Sequence, residues 1–242
     1  MSSCKEEEIR SAMLLGVPAM ERLHRAHVAV FGVGGVGGYT CEALARAGIG
    51  TLTLIDRDTV SLSNINRQII ALHSTLGRPK VEVMEERIRD INPDCRVIAR
   101  EEFYLPEGAE AFPLEDYDYI VDAVDTVAAK IDLAVRAAAA GVPIISAMGA
   151  GNKLTAEGFL VTDLAKTEGC PLARVMRREL KKRGITHLKV VYSKEPAAPL
   201  HPEAPLAATE SSSRPSPGSL PYVPGVAGLM LAGEVVRDLL KG

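Results

Sequence analysis

In this 242-residue chain, Arg67, Lys80 and Asp125 combine a guanidinium, an ammonium and a carboxylate downstream of a glycine-rich turn. That set suits a triphosphate attacked at phosphorus, where catalysis consists of positioning and of offsetting phosphate charge, with a carboxylate available for Mg²⁺. Arg67 lies in Ser63-Asn64-Ile65-Asn66-Arg67-Gln68, which gathers hydroxyl, amide and guanidinium groups. Lys80 ends Gly77-Arg78-Pro79-Lys80 at a helix start. Asp125 closes Val121-Asp122-Ala123-Val124-Asp125 at a strand end, where ligands of open α/β sheets bind. Asp125 is the metal candidate; Asp122 is equally well a structural carboxylate. Taken singly, each residue has an ordinary reading as a surface charge, a solvated helix residue or a helix N-cap.

Their joint meaning comes from the elements that precede them. An apolar run over 28–31 reads as a buried strand and enters Gly32-Val33-Gly34-Gly35-Val36-Gly37. A helical pattern follows to about residue 47, then a second strand over 51–55 that ends on Asp56. Gly32, Gly34 and Gly37 fit G-x-G-x-x-G, and Asp56 lies 19 residues past Gly37, where a ribose-binding acid belongs. Such glycines let backbone amides approach phosphate at a helix N-terminus. A dinucleotide site does not need Arg67 and Gln68 just beyond the acid, so the pattern favours ATP over NAD. The fold class that follows is α/β: a Rossmann-like mixed sheet with a parallel nucleotide-binding half and a more antiparallel C-terminal half.

The motifs Gly32 to Gly37, Asp56-Arg57-Asp58 with Ser63 to Gln68, Gly77 to Lys80 and Asp122 to Asp125 resemble the adenylating family of the ubiquitin-activating enzymes and the bacterial ThiF and MoeB proteins. That likeness covers about residues 10–165. Further motifs, over 147–152, 162–167, 170–175, 191–195, 217–219 and 226–234, are similar to the tRNA threonylcarbamoyladenosine dehydratase branch and extend the likeness over nearly the whole chain. The resemblance implies a single adenylating domain over 1–242 that activates a carboxylate as an acyl-adenylate, using ATP and Mg²⁺. It implies nucleotide contacts from Gly32, Gly34, Gly35, Gly37, Asp56, Asp58, Ser63, Asn64, Arg67, Gln68, Lys80 and Asp125, with Arg67, Lys80 and Asp125 catalytic. Arg10, in Arg-x-x-x-Leu-Leu-Gly, takes the place of an arginine that reaches the ATP of a neighbouring subunit, so a homodimer is implied. The tRNA substrate comes from the resemblance alone. An activating enzyme for a ubiquitin-like sulfur carrier, with a sulfur-relay partner, stays open, as does a nucleotide-binding module without turnover.

Net charge is −3, from 28 basic and 31 acidic residues, so any nucleic-acid surface must be local. The local exception is 174–189, with seven basic residues against one acid. Arg174, Arg177, Arg178, Lys181, Lys182 and Arg183 recur at helical spacing and are the candidate tRNA contacts, the alternative being a merely solvated face. With no Trp, base-stacking recognition is not evident. Cys4, Cys41, Cys95 and Cys170 form no C-x-x-C, which argues against structural zinc and departs from many ThiF- and MoeB-like proteins. Cys170 before Pro171 is either a thioester nucleophile or a small residue at a helix start. The acidic start, the lack of an apolar run of about 18 residues and the unpaired cysteines predict a cytoplasmic protein with no membrane span.

The remaining spacing predicts one or two helices over 5–25 broken at Gly16, a helix over 78–91, a strand over 96–100 and a helix over 130–140. Residues 143–146 and 158–162 read as strands, the latter antiparallel, with 147–151 bordering the substrate pocket. Segment 166–193 holds the basic helix and a strand. Segment 194–222, with Pro196, Pro199, Pro202 and Pro205, reads as a partly disordered polyproline-type loop, and 225–241 as a final helix.

Overall fold

The run His27–Phe31 is apolar at every position after the first because both faces of its strand are covered, as in parallel sheets generally. Val28 and Val30 pack to one side, Ala29 and Phe31 to the other, following the two-residue period of a strand. The computed structural model describes residues 5–203 and 217–241. Residues 1–4, among them Cys4, together with Gly242 and segment 204–216, the middle of the expected disordered loop, lie outside the described residues.

In chain order the elements are α1 Ile9–Leu15, α2 Val17–Arg25, β1 His27–Phe31, α3 Gly37–Arg46, β2 Thr51–Ile55, α4 Lys80–Ile91 and β3 Arg96–Arg100. Then follow β4 Tyr119–Asp122, α5 Val127–Ala140, β5 Ile144–Ala147, β6 Phe159–Asp163, α6 Pro171–Lys181, β7 Lys189–Ser193 and α7 Tyr222–Lys241. The strands form one seven-stranded sheet in the order β3-β2-β1-β4-β5-β7-β6. All neighbours are parallel except β6 and β7, so the more antiparallel C-terminal half owes that character to its edge pair, with β6 the strand expected to be antiparallel. The strand order reverses between β2-β1 and β4, which opens a crevice at the carboxyl ends of β1 and β4.

On one face of the sheet, Cys41 and Leu44 of α3, Val81, Met84 and Ile88 of α4, and Ala227, Leu231 and Val235 of α7 share a core with Val28, Val30, Leu52 and Leu54. On the other, Ala129, Leu133 and Ala137 of α5 cover Ala29, Phe31 and Ile120, while Met176 and Leu180 of α6 pack with Val190 and Tyr192. Each amphipathic helix thus buries an i, i+3/i+4 stripe.

Two helices start three residues earlier than their sequence pattern indicates. Thr126 precedes α5, moving its start from 130 to 127. Tyr222 opens α7, with Pro224 inside the first turn, where no intrahelical amide donor is needed. Gly228 lets α7 lie against the start of α3: a Cβ there would stand 2.2 Å from the Val36 carbonyl oxygen. The Thr40 hydroxyl donates to the Gly228 carbonyl at 3.0 Å and fastens the crossing.

Candidate active site

The crevice at the strand-order reversal is a cleft of about 440 Å³, within the roughly 300–1,000 Å³ usual for small-molecule sites. Gly32, Gly34, Gly35, Asp56, Asp58, Asn64, Arg67, Gln68, Lys80 and Asp125 line it. Residues from five separate chain segments therefore converge on one space. Gly37, Ser63 and Arg10 are not in its lining.

Gly37 serves the loop from behind. A Cβ there would lie 1.8 Å from the Gly32 carbonyl oxygen, and Gly32 itself has φ +90 with its Cβ position 2.7 Å from the Ala123 carbonyl oxygen. No side chain fits either position, so these two glycines seat the turn against the ends of β1 and β4. Ser63 is exposed and its hydroxyl meets that of Ser61 at 3.1 Å; only its carbonyl is used inward, accepting from Arg67 Nη1 at 2.9 Å. Arg10 stands on α1, which has no buried residue.

Asp56 organises the turn. One carboxylate oxygen accepts the Val33 amide at 2.7 Å and the other the Asp58 amide at 2.9 Å. Burial raises its pKa against the lowering effects of nearby Lys80 and these two amides. Lys80, at the start of α4, is buried with its ammonium 2.8 Å from Asp58. Arg67 Nη1 also donates to the Asn66 side-chain carbonyl at 2.9 Å, and partial burial lowers the guanidinium's pKa. A cation held at that cost beside amide groups suits an anionic partner. Gln68 is buried and its Oε1 has no hydrogen-bond partner among the described residues. An orphaned buried acceptor in a cleft wall fits a ligand donor.

The two carboxylates after β4 separate cleanly. Asp122 is fully buried, 2.9 Å from the Lys130 ammonium and 2.5 Å from the Ser146 hydroxyl, and is structural. Asp125 is exposed in the cleft and accepts from the Thr126 hydroxyl at 3.3 Å. The described residues contain no group of three or more His, Cys, Asp or Glu placed to hold a metal. A lone carboxylate fits Mg²⁺, which commonly takes one or two carboxylates and completes its shell with water and phosphate oxygens.

Several lining residues escape sequence reasoning. Glu102, Phe103 and Tyr104 follow β3 and wall the cleft near Asp56. Arg57 stacks 4.1 Å over the Phe103 ring, and Tyr104 donates to Asp132 at 2.5 Å. The aromatic pair at a strand's carboxyl end was the available signal, masked by the acidic run around it. Pro217, Ser219 and Pro224 close the opposite flank beside Ala150 and Gly151, the end of the 147–151 stretch expected to border the pocket.

The basic helix is corrected in one respect. Arg177 turns inward: its Nη1 donates to the Leu164 and Thr167 carbonyls at 3.3 and 2.7 Å and to the Thr167 hydroxyl. The amphipathic helix places position 177 beside the buried Met176 stripe, so this side chain braces the fold. Arg178, Lys182 and Arg183 all pair with Glu179, which they hold down at a pKa of about 2. Arg174 and Lys181 are exposed. Cys170 caps α6: it is buried and its sulfur accepts the Ala173 amide at 3.5 Å.

A glycine turn, an acid, and converging guanidinium and ammonium groups at the carboxyl edge of a Rossmann-type sheet define a nucleotide-binding α/β protein. Comparison with known proteins narrows the class. The chain belongs to the ThiF family, whose model matches residues 8–242. It is 42% identical over 238 residues to the tRNA threonylcarbamoyladenosine dehydratase of Bacillus subtilis, covering 96% of this chain and 94% of that protein. The Escherichia coli protein of the same name is 44% identical over 171 residues, 71% of this chain and 64% of that one. The crystal structure of E. coli tRNA N6-threonylcarbamoyladenosine dehydratase, TcdA, in complex with ATP superposes with a TM-score of 0.87 at 34% identity, covering 98% of this chain and 94% of that chain.

Proposed function

We propose that this chain is an ATP-dependent tRNA threonylcarbamoyladenosine dehydratase. The observation that carries the reading is the convergence of glycine turn, Asp56, Arg67, Lys80 and Asp125 on one cleft, in a chain similar to dehydratases over nearly its full length. ATP is the co-substrate. An oxygen of the threonyl carboxylate bonds to the α-phosphorus while the bond to pyrophosphate breaks. The carbamoyl nitrogen or oxygen then attacks the activated carbonyl; the bond to AMP breaks and the attacking group's proton leaves. AMP carries away the former carboxylate oxygen, so the nucleoside loses the elements of one water. Arg67 and Lys80 offset phosphate charge, and the amides around Gly34 and Gly35 cradle it. Asp125 would hold Mg²⁺, which when bound offsets charge on the phosphate oxygens. The test is incubation with ATP, Mg²⁺ and bulk tRNA followed by nucleoside mass analysis. AMP formation with loss of one water from the modified nucleoside supports the reading; an unchanged nucleoside overturns it.

The intermediate is consumed within the RNA, because its own nucleophile lies a few bonds from the carbonyl and ring closure gains from high effective molarity. Cys170→Ser is expected to keep most activity, since serine caps a helix well. If that variant binds ATP and tRNA yet does not turn over, or if a thioester-linked protein accumulates, the sulfur-carrier reading replaces this one. The free thiols Cys41, Cys95 and Cys170 suit a reducing cytoplasm, and no described helix is long and apolar enough to cross a membrane.

The tRNA backbone is assigned to the exposed cations of α6. Reversing Arg174 and Lys181 to Glu should weaken tRNA binding and flatten its salt dependence by about one unit for each phosphate no longer neutralised. ATP binding should not change. An unaltered salt slope returns α6 to a solvated face.

Arg10 is assigned to the ATP site of a partner subunit. Helix α1 exposes Ile9, Met13, Leu14 and Leu15, an apolar face suited to a second copy of the chain. Mixed dimers of Arg10→Ala and Asp125→Ala chains, each inactive alone, should regain activity, because one of their two sites is intact. Verified heterodimers without activity would remove Arg10 from the mechanism.

A further inference from the structure

Segment 217–219 lines the cleft from the flank opposite Asp56, and two asparagines hold it there. Asn152 donates its backbone amide to the Gly218 carbonyl at 2.8 Å, and its side-chain Oδ1 accepts the Gly218 amide at 2.6 Å. Its carbonyl accepts the Ala198 amide at 2.7 Å, so a single residue fastens both limbs of the 194–222 excursion. Asn152 is the one non-glycine with positive φ among the described residues, at +55. Asparagine tolerates this left-handed conformation better than most residues, and such conformations persist where the surroundings over-determine them. On the far side, Asn66 Nδ2 donates to the Ser219 carbonyl at 3.0 Å while Asn66 Oδ1 accepts from Arg67 Nη1 at 2.9 Å. A continuous series of contacts therefore runs from Asn152 through Gly218, Ser219 and Asn66 to the Arg67 guanidinium.

The two flanks of the cleft differ in chemistry. Asp56, Phe103 and Tyr104 stand beyond β2 and β3 and suit a nucleoside. Ala150, Gly151, Pro217 and Ser219 stand beyond β5, and the glycine turn lies between. With the nucleoside over β2 and β3, the incoming carboxylate meets the nucleotide on the β5 flank. There Gly151 leaves room for segment 217–219: a Cβ on it would stand 2.7 Å from the Pro217 Cβ.

We propose that Asn152 is a positioning residue: its clamp on Gly218 sets segment 217–219, and through Asn66 the Arg67 guanidinium, at the carboxylate-accepting flank. The proposal rests on the adenylating function above for the nature of the acceptor. It does not require Asn152 to touch substrate.

Three substitutions separate the contributions. Asn152→Ala removes the Oδ1 acceptor and disfavours the backbone conformation. Asn152→Gly removes the acceptor alone. Asn152→Asp keeps both the acceptor oxygen and tolerance of positive φ. With ATP and bulk tRNA, Asn152→Ala and Asn152→Gly are expected to lower the kcat for AMP formation by on the order of 10²-fold, the scale of a small misplacement of catalytic groups. The Kd for ATP should stay near the wild-type value, and Asn152→Asp should recover most of the missing turnover. Amide hydrogen exchange should accelerate at both 217–219 and 64–68 in the Ala and Gly variants and slow again in the Asp variant. Wild-type turnover in both the Ala and Gly variants overturns the proposal. So does a parallel loss of turnover and ATP affinity without rescue by Asp, or faster exchange confined to 217–219. If the wild-type chain forms no AMP with tRNA, the functional reading falls, and exchange at the two segments still decides the clamp.

Discussion

Replacing Arg67 with alanine should lower turnover by on the order of 10³-fold, the scale on which a cationic group stabilises phosphoryl transfer. The guanidinium is placed by Ser63 and Asn66 before any ligand arrives, both contacts falling on Nη1. The remaining donors of the fork are available for phosphate oxygens, and their geometry matches such oxygens in pairs. Partial burial lowers the guanidinium's pKa, the mark of a cation taken partly out of water. An approaching phosphate relieves that cost most where charge develops, so kcat should suffer more than ATP affinity. Arg67→Lys should rescue little, because a point charge cannot hold the Ser63 and Asn66 oxygens and a phosphate in the same plane. Quenched-flow measurement of pyrophosphate release decides the matter. Release by Arg67→Ala at close to the wild-type rate would take the residue out of the chemistry.

Lys130→Met should destabilise the fold by about 3–5 kcal/mol, the usual cost of removing one partner of a buried ion pair. Lys130 is 1% exposed and Asp122 is 0% exposed, so methionine would strand a carboxylate without solvent. Ser146 would remain as its hydroxyl donor, along with the Val124 amide at 3.3 Å, and neither supplies a charge. Against a typical domain stability of about 5–15 kcal/mol, a loss of that size is readily measured. A Lys130→Met, Asp122→Leu double variant should recover much of it, because an apolar pair of similar volume often matches a buried ion pair. Urea unfolding of the three variants is the check. A Lys130→Met cost below about 1 kcal/mol would mean that water or another group satisfies Asp122. The pair joins β4 to α5, the two elements on either side of Asp125, so the same variant should also loosen the cleft wall.

Much of the site was legible because its determinants are local. The turn over 32–37 needs glycines at fixed offsets, a buried parallel strand needs an apolar run, and the acid after β2 follows from strand length. Those demands leave a mark in contiguous residues that leads to Asp56, while Arg67, Lys80 and Asp125 stand out by charge in later short motifs; all four line the cleft. At Arg177 another segment had intervened, and at Ser63 a near neighbour had. Arg177 carries the spacing of the basic face, yet the Leu164 and Thr167 carbonyls draw it inward. Ser63 has the right chemistry in the right motif, but its hydroxyl faces Ser61.

The succession of strands and helices, the glycine turn and the short motifs that carry the cleft's charged residues all depend on neighbours a few positions away. Residue order was enough to read them. Three features needed the folded chain: which carboxylate after β4 is buried, which flank of the cleft is aromatic, and the tie that Asn152 makes between Ala198 and Gly218. Burial and hydrogen-bond partnership belong to pairs of segments, and local spacing carries no record of the second member. The Asp122 carboxylate meets Lys130 and Ser146 only because β4, α5 and β5 pack side by side, and no spacing within residues 121–125 distinguishes it from Asp125.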